Sequence, residues 1–517
     1  MIAYVSRLGL LLALQVPAPD LGDRPAAELR REWVTIHGQE ATRLQGLAAR
    51  LEGSGEADAA RSVRAVISEK PGGGGPTRFV LLPKVEGAQR KGLADVKTKP
   101  DKLEARNDGL RAVRESTASA LFKLAERALS TPPKHYALAE ACLRGVIQRQ
   151  PDHAEARRLL GYVPFNGGWA TPYARKRLED GMVDHPTFGW VNSSWVPHLD
   201  NGELPAPAAT TASAPKGEPL WLPAAEADRL RSPWNSPWRI STEHFEIRTN
   251  VPLSEAIAFG RQLEGFHDLF FALMADLIET DNRLPLAQRF RDKKMVGERN
   301  VPPHQIYYFK EKQEYVDHLI AVEPFIEGSL GIYIPPKKGK KRAPAYFYRD
   351  PGGKIEATAT LFHEVSHQLL FESAGPNAYD RNVGNYWVFE GLGTYFETVV
   401  PKSDGVLEVG GLVGPRIEAA QAWRKAGEFL PIERLLQLDE RPFKAEEAIY
   451  LHYAESMALA VFLMQAQDGL YRDAFLDYAK DAYRGRLRRN TGRSLESRLG
   501  VSYPELDREF RDFLKQG

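Results

Sequence analysis

The sequence predicts an α+β fold, in which a mainly helical N-terminal region precedes a domain with a small mixed sheet and a helical C-terminal part. In the N-terminal region, apolar residues recur at three- and four-residue spacing at about 24–64 and 88–130, which is the period of a helix. After residue 220, strand-like segments surround a long helical pattern over Leu253–Ile278. These segments are residues 244–249, 305–309 and 330–334.

The first 18 residues are interpreted as a secretory signal peptide, because Arg7 is followed by a short apolar run over Leu8–Val16. This interpretation predicts a secreted, periplasmic or cell-envelope protein. A buried first helix of a cytosolic protein is the alternative, since so short a run also suits a core segment. No later stretch is long enough to span a bilayer, so no integral membrane segment is expected. The apolar run Met457–Met464 is predicted to be a core helix.

Composition excludes two function classes. The chain has 517 residues, 43% of them hydrophobic, and 69 Lys and Arg balance 68 Asp and Glu. A disordered protein would have fewer apolar residues and a larger net charge, and a nucleic-acid binder would have a basic excess, so no nucleic-acid partner is expected. The basic stretch Lys337–Arg342 is interpreted as a solvated loop. The single cysteine, Cys142, excludes a Cys-based zinc cluster, so His and carboxylates would have to hold a metal.

The N-terminal region is assigned to residues 19–200. Within it, residues 134–165 resemble one tetratricopeptide-type helical hairpin, a unit that must pack on its neighbours because it cannot bury its own faces. A Gly- and Trp-rich element follows, with a composition typical of short strands and tight turns. Residues 201–219 have linker composition and are predicted to separate this region from a second domain at 220–517. The helical region could hold a protein partner.

A metal-binding motif dominates the second domain. On a helix, His363 and His367 are one turn apart on the same face, so both imidazoles can reach one ion. Zinc suits neutral imidazole ligands in a tetrahedral shell, and one ion per chain is predicted, although manganese or cobalt can occupy similar sites. Glu364 lies beside the first ligand, where a carboxylate can accept a proton from water that the metal has made more acidic.

The segment after this motif resembles the second zinc helix of the gluzincin metallopeptidases. In that family a Glu in a Trp-x-x-Glu-Gly context is the third ligand, and Trp387–Gly391 matches with Glu390 as the ligand. The resemblance implies a gluzincin-like metallopeptidase domain. Glu397, two turns further along the same face, matches a carboxylate of the aminopeptidase branch that orients a ligand histidine.

The same resemblance indicates a residue that stabilises the oxyanion. In gluzincin aminopeptidases a Tyr downstream of the Glu ligand has this role, and Tyr453 is the residue assigned to it. Glu455 and Ser456 stand where that branch usually has Lys and Gly, and Tyr450 or His452 could serve instead. Residues 130–515 as a whole resemble secreted planctomycete-type proteins of unknown function that carry a gluzincin-like domain.

Together these residues predict a zinc-dependent peptidase that acts on a peptide or protein substrate. Aminopeptidases of the gluzincin clan bind the free N-terminus of the substrate with a Gly-x-Met-Glu-Asn type motif. No such motif precedes His363, so endopeptidase action is favoured over aminopeptidase action. The alternative is a non-catalytic binding or envelope-associated protein that keeps the zinc fold. A groove beside His363 left open by the loop at 335–344 would favour the peptidase, and a groove filled by that loop would favour the alternative.

Overall fold

The structure is a computed structural model that describes the chain in segments. The predicted signal peptide and much of the loop at 335–344 lie outside the described residues, as does the middle of the predicted linker. The described segments are residues 25–67, 75–87, 108–207, 219–278, 285–293, 301–336, 342–349, 355–374, 384–402, 405–487 and 494–516. Among the helices in these segments, none combines the length and the apolar character needed to cross a membrane.

The predicted mixture of helices and small sheets is confirmed, and the chain begins with helices. The helical pattern at 24–64 forms two helices rather than one, with Gly55 between them at a φ of 85°. The tetratricopeptide-type pairing is not confirmed, since the second helix of that hairpin has only six residues and the first packs along the helix before it. The N-terminal helices are α1 (Pro25–Gly53), α2 (Ala57–Ala65), α3 (Asp108–Ser130), α4 (Tyr136–Arg149) and α5 (Ala154–Leu159).

Two short strands, β1 and β2, lie between α2 and α3, and further short strands follow α5, as the Gly- and Trp-rich composition there predicts. Strands β3 and β4 are joined by Asn166 and Gly167, whose φ values of 47° and 79° suit a two-residue hairpin turn. Strand β7 lies at the start of the predicted linker and pairs with β8, which begins just after the linker ends. The elements are β1 (Thr77–Val80), β2 (Val85–Glu86), β3 (Val163–Phe165), β4 (Gly168–Ala170), α6 (Pro172–Glu179), β5 (Met182–His185), β6 (Gly189–Asn192), α7 (Val196–Asp200), β7 (Glu203–Pro205), β8 (Trp221–Pro223) and α8 (Ala224–Arg231).

A five-stranded mixed sheet lies at the centre of the second half. Its strand order is β12-β13-β11-β10-β9, in which β13, β11 and β10 are parallel and the two edge strands are antiparallel to their neighbours. The long helix predicted at Leu253–Ile278 is confirmed and connects β10 to the following elements. The elements are β9 (Trp238–Ser241), β10 (Phe245–Thr249), α9 (Leu253–Ile278), α10 (Pro285–Asp292), β11 (His304–Phe309), α11 (Lys312–Leu319), β12 (Gly331–Tyr333) and β13 (Ala345–Tyr348).

The C-terminal part is helical and shares one apolar core with the sheet and α9. Its first two helices, α12 and α13, pack against each other, and α13 also packs against α17. Strand β15 pairs with β14 on one side and with β1 of the N-terminal region on the other. The elements are α12 (Ile355–Ala374), α13 (Tyr386–Glu397), β14 (Val400–Pro401), β15 (Val406–Val409), α14 (Pro415–Ala426), α15 (Ile432–Leu436), α16 (Glu440–Phe443), α17 (Ile449–Gly469), α18 (Arg472–Tyr483), α19 (Leu495–Leu499) and α20 (Tyr503–Phe513).

A partly buried polar contact joins the N-terminal helices to α9. The carboxylate of Asp276 accepts hydrogen bonds from the backbone amides of Tyr136 and Ala137, at 2.7 and 3.2 Å, and so satisfies two amides at the start of α4. Burial and the negative charge of nearby Asp473 raise the pKa of Asp276 to about 6, although these two hydrogen bonds oppose the shift. The folded protein therefore holds the Asp276 proton more tightly than the unfolded chain does.

This pKa predicts that Asp276 contributes stability at acid pH which is lost as the pH rises. The contribution is complete below the unfolded pKa near 4 and disappears as pH passes the folded pKa of about 6. As the pH rises, this contribution to the free energy of unfolding falls by at most about 1.4 kcal/mol per pH unit. Urea unfolding of wild type and Asp276→Asn at about pH 4, 5 and 6 measures it, since other titrating groups are common to both proteins. Equal pH slopes in the two proteins would contradict this account.

Candidate metal centre

Two helices bring the predicted ligand atoms together. On α12, His363 and His367 project from the same face, and their Nε2 atoms are 3.0 Å apart. Helix α13 crosses beside them and places Oε2 of Glu390 3.5 Å from Nε2 of His363 and 3.7 Å from Nε2 of His367. His363 and Glu390 are buried, while His367 is partly exposed. The three side chains therefore converge on one point at the edge of the core.

The spacing of these three atoms fits a tetrahedral metal ion. With ligand bonds of about 2.0–2.1 Å, the ligand atoms of a tetrahedral zinc site lie about 3.3–3.4 Å apart. The three observed separations, 3.0, 3.5 and 3.7 Å, lie on either side of that value. Two imidazole nitrogens and one carboxylate oxygen are also a common donor set for zinc that keeps a position open. The residues present thus fit one ion of this kind.

Glu397 holds the first histidine in the orientation that a ligand needs. Its Oε1 lies 2.9 Å from Nδ1 of His363, so Nδ1 carries the shared proton and Nε2 is left to face Glu390. The other oxygen, Oε2, accepts a hydrogen bond of 3.0 Å from Nε of Arg416 on α14. This chain of hydrogen bonds, from Arg416 through Glu397 to His363, fixes the orientation of the imidazole ring. Arg416 was not identified from the sequence, where nothing links it to residues on α12.

Glu364 lies beside the ligand cluster without joining it. One of its oxygens, Oε1, is 3.9 Å from Nε2 of His363, and the other, Oε2, accepts a hydrogen bond of 2.8 Å from the backbone amide of Tyr333. Tyr333 is the last residue of edge strand β12, so the sheet fixes the carboxylate. Burial raises the pKa of Glu364, although the two histidines oppose this.

The charges of the cluster are strongly coupled. Burial disfavours a charged imidazole, but hydrogen bonds with Glu390 and Glu397 outweigh it and raise the pKa of His363 to about 10. Burial likewise disfavours the Glu390 carboxylate, yet its hydrogen bonds with His363 and His367 hold its pKa well below the usual range. Without an ion, a proton on His363 would therefore compensate the buried carboxylates.

Of the three residues considered for the oxyanion, only Tyr453 reaches the cluster. Burial and the adjacent Glu390 carboxylate raise the pKa of its hydroxyl, and the Arg416 guanidinium lies 5.2 Å from its ring centre. Tyr450 is 49% exposed and its ring packs against Trp423. Nδ1 of His452 lies 2.7 Å from the carbonyl oxygen of Phe443, and this contact holds the imidazole of His452 away from the ligand cluster. The structure thus distinguishes three candidates that the sequence left open.

Two further residues shape the site and were missed in the sequence. The Tyr386 hydroxyl donates a hydrogen bond of 2.7 Å to Oε1 of Glu390, which satisfies the oxygen that does not face the histidines. Gly393 lies under both imidazoles, and a Cβ there would be 2.9 Å from Cε1 of His363 and 3.0 Å from Nε2 of His367. Tyr386 and Gly393 lie on α13, the helix that contains Glu390. The sequence feature that could have indicated Gly393 is the occurrence of two glycines, Gly391 and Gly393, within three residues of a buried helix.

A second cluster with metal-ligand chemistry does not fit an ion. Ligand atoms of Glu243, His244 and Glu264 lie within 4.8 Å of one another. However, Nζ of Lys84 is 3.1 Å from Oε2 of Glu243 and so supplies the positive charge itself. Glu264 already accepts hydrogen bonds from the Thr242 hydroxyl and from the amide of His244. These groups satisfy one another.

Comparison with known proteins leaves the function open. Residues 357–485 match the model of a family described as "Protein of unknown function (DUF1570)". The match is confined to about a quarter of the chain and includes the whole cluster together with Tyr453. No curated protein matches the sequence.

Proposed function

We propose that this chain is a zinc-dependent peptidase in which His363, His367 and Glu390 hold one zinc ion. The observation that carries the proposal is the convergence of two imidazole nitrogens and one carboxylate oxygen at tetrahedral spacing, with Glu364 beside them. When bound, the ion would supply Lewis-acid chemistry, making water more acidic and polarising a carbonyl. The sequence resemblance to gluzincins favours a peptide bond as the bond that is hydrolysed.

Two side chains move or hold protons in this reaction. Glu364 accepts a proton from the attacking water and delivers it to the departing amine, a role that requires a carboxylate held next to the ligands but not bound among them. The Tyr333 amide holds Glu364 in that place. Tyr453 donates a hydrogen bond to the oxygen on which negative charge develops, since its hydroxyl lies next to Glu390 at the ligand cluster. The other phenol at Glu390, that of Tyr386, is engaged with Oε1 of this carboxylate. The sequence favours an endopeptidase, because it has no Gly-x-Met-Glu-Asn type motif before His363.

The proposal is tested by measuring metal and cleavage on the same preparation. We expect about one zinc per chain in protein purified without added metal. A peptide library followed by mass spectrometry should show internal cleavage that a chelator abolishes and added zinc restores. A folded protein that neither contains nor takes up zinc would contradict the proposal and favour the alternative, a non-catalytic binding or envelope-associated protein. Trimming of single residues from the N-terminus would instead identify an aminopeptidase.

A further inference from the structure

An exposed aromatic side chain lies beside the metal centre at the start of α17. Of the Phe, Tyr and Trp side chains in the described segments, only Tyr450 and Phe325 are exposed, with 49% and 88% of their surface accessible. Ile449, next to Tyr450, is also exposed. Single exposed apolar residues are common on folded proteins, but adjacent ones beside a proposed active site indicate a binding surface.

Two side chains of α14 hold the Tyr450 ring in place. The ring centre of Trp423 lies 5.8 Å away in an edge-to-face arrangement, and the guanidinium carbon of Arg416 lies 6.0 Å away. Arg416 and Trp423 are seven residues apart, so they project from the same face of α14. The ring is therefore fixed before a ligand binds, which lowers the entropic cost of binding. We call Ile449, Tyr450 and Trp423 the aromatic platform.

The aromatic platform is continuous with the ligand cluster. Tyr450 and Tyr453 are three residues apart on α17, which places their Cβ atoms roughly 5–6 Å apart on one face. The Arg416 guanidinium lies beside both rings and donates through Nε to Glu397, the residue that orients His363. An extended polypeptide advances about 3.3 Å per residue. A side chain one to three residues from a bond held at the cluster can therefore reach Tyr450.

The chemistry of the aromatic platform favours a neutral ring as the bound group. The Arg416 charge is compensated by Glu397, at 3.0 Å, so it does not require an acidic ligand. Glu446 and Glu447, just before α17, are exposed carboxylates that would repel one. Arg416 itself already lies beside the Tyr450 ring, which disfavours a second cation there. A fixed ring with an exposed surface suits a second ring, because aromatic pairs attract each other beyond the effect of the area that they bury.

We propose that the aromatic platform binds an aromatic side chain of the substrate within three residues of the bond that is hydrolysed. This inference rests on the proposed function, since the metal centre is what places the substrate backbone beside Tyr453. The substrate ring packs against the exposed part of Tyr450, and Ile449 contributes apolar surface at its edge. The preferred substrate is thus a peptide with Phe, Tyr or Trp close to the cleavage site.

The first test measures peptide binding to the full-length, zinc-loaded chain in a Glu364→Gln background, where the proposed cleavage is removed. The probes are fluorescein-labelled, blocked ten-residue peptides of Ala and Ser with one Phe, cyclohexylalanine or Lys in the middle. Cyclohexylalanine has the bulk of Phe without the aromatic ring, so it separates ring packing from simple hydrophobicity. We expect the Phe peptide to bind about 2- to 10-fold more tightly than the cyclohexylalanine peptide, and the Lys peptide to bind most weakly.

Matched variants connect this preference to Tyr450. Tyr450→Leu keeps an apolar side chain but removes the ring, so the ratio of the Phe and cyclohexylalanine affinities should fall to about one. Tyr450→Phe keeps the ring and should keep the ratio. Phe325→Ala removes the other exposed ring, which follows α11 on the sheet face opposite α12, and should also keep the ratio. Because both positions are exposed, these variants are expected to fold.

Cleavage-site mapping of a peptide library with the wild type gives an independent measurement. Phe, Tyr and Trp should be enriched within three residues of the cut bond, and Tyr450→Leu should remove the enrichment. Equal affinities for the Phe and cyclohexylalanine peptides, tightest binding of the Lys peptide, or a ratio that Tyr450→Leu leaves unchanged would overturn this inference. Zinc-dependent cleavage without aromatic enrichment would also overturn it and leave the peptidase proposal intact.

Two remaining outcomes separate this inference from its alternatives. In a protein that takes up no zinc, the proposed function fails by its own test, and ring-dependent binding that is lost in Tyr450→Leu would still identify the aromatic platform as a peptide-binding surface. A dimer in sedimentation that Tyr450→Leu dissociates would identify a second copy of the chain as the occupant and would overturn the inference.

Discussion

Replacing Glu364 by Gln is expected to lower kcat/KM for peptide hydrolysis by about 10²–10⁴-fold, the range attributed to a positioned general base. Gln has nearly the same shape and can still accept the hydrogen bond from the Tyr333 amide. It cannot accept the proton of the attacking water. Since Glu364 is not among the three converging ligands, the zinc content should stay at about one per chain.

The control for this substitution is Glu372→Gln on the same helix. Glu372 is also a buried carboxylate, but it pairs with Arg342 and His304 rather than with the ligand cluster. Its loss should affect stability and leave the cleavage reaction of the folded protein largely unchanged. Full activity in Glu364→Gln, with zinc bound, would contradict the assignment of Glu364 as the base.

Replacing Gly393 by Ala is expected to weaken zinc binding by about 10–100-fold, the range found when groups that orient ligands are changed. The added methyl group would lie 2.9–3.0 Å from atoms of both imidazoles, closer than side-chain carbons approach such atoms. His363 has little room to move because Glu397 holds its Nδ1. The ligands would therefore leave the tetrahedral spacing, and peptide hydrolysis should fall with the metal occupancy.

The matched control is Gly46→Ala in the middle of α1, where an added Cβ meets nothing within 4 Å. There the change should only raise helix propensity, by about 1 kcal/mol, and leave the metal unaffected. The His363→Ala/His367→Ala double variant provides the reference for complete loss of zinc. Titration of the metal-free proteins with zinc measures all three. Unchanged affinity in Gly393→Ala would mean that the imidazoles are not held as the structure places them.

Local sequence patterns were sufficient to predict the helices and strands whose apolar residues recur with a regular period. Helix α9 has the predicted bounds, Leu253–Ile278, because its apolar residues recur regularly over 26 residues. Strands β10 and β11 were predicted from alternation and short aromatic runs. Strand β13 was missed, although it is the neighbour that places β12 next to Glu364. Its sequence, Ala-Tyr-Phe-Tyr, is short and does not alternate, so only its pairing identifies it.

The residues that carry the chemistry of the site could be predicted from the sequence, whereas the residues that position them could not. His363, Glu364 and His367 are fixed by helix geometry once they share a helix, and Glu390 was assigned by resemblance to a known zinc helix. The contacts made by Tyr386, Gly393 and Arg416 depend on how α13 and α14 pack, which no local pattern contains. Likewise, Tyr450, His452 and Tyr453 differ in the direction that each side chain takes from α17, and of the three only Tyr453 reaches the ligand cluster.

The pairing of β1 with β15 has a consequence for the order in which the protein can form. Thr77 on β1 also contacts Gln465, 388 residues later, and Arg30 contacts Asp473, 443 residues later. Such contacts must close very long loops, which makes them late events in folding. During synthesis, which starts at the N-terminus, β1 has no strand to pair with until β15 has been made. The pairing of β1 with β15 is thus among the last contacts to form.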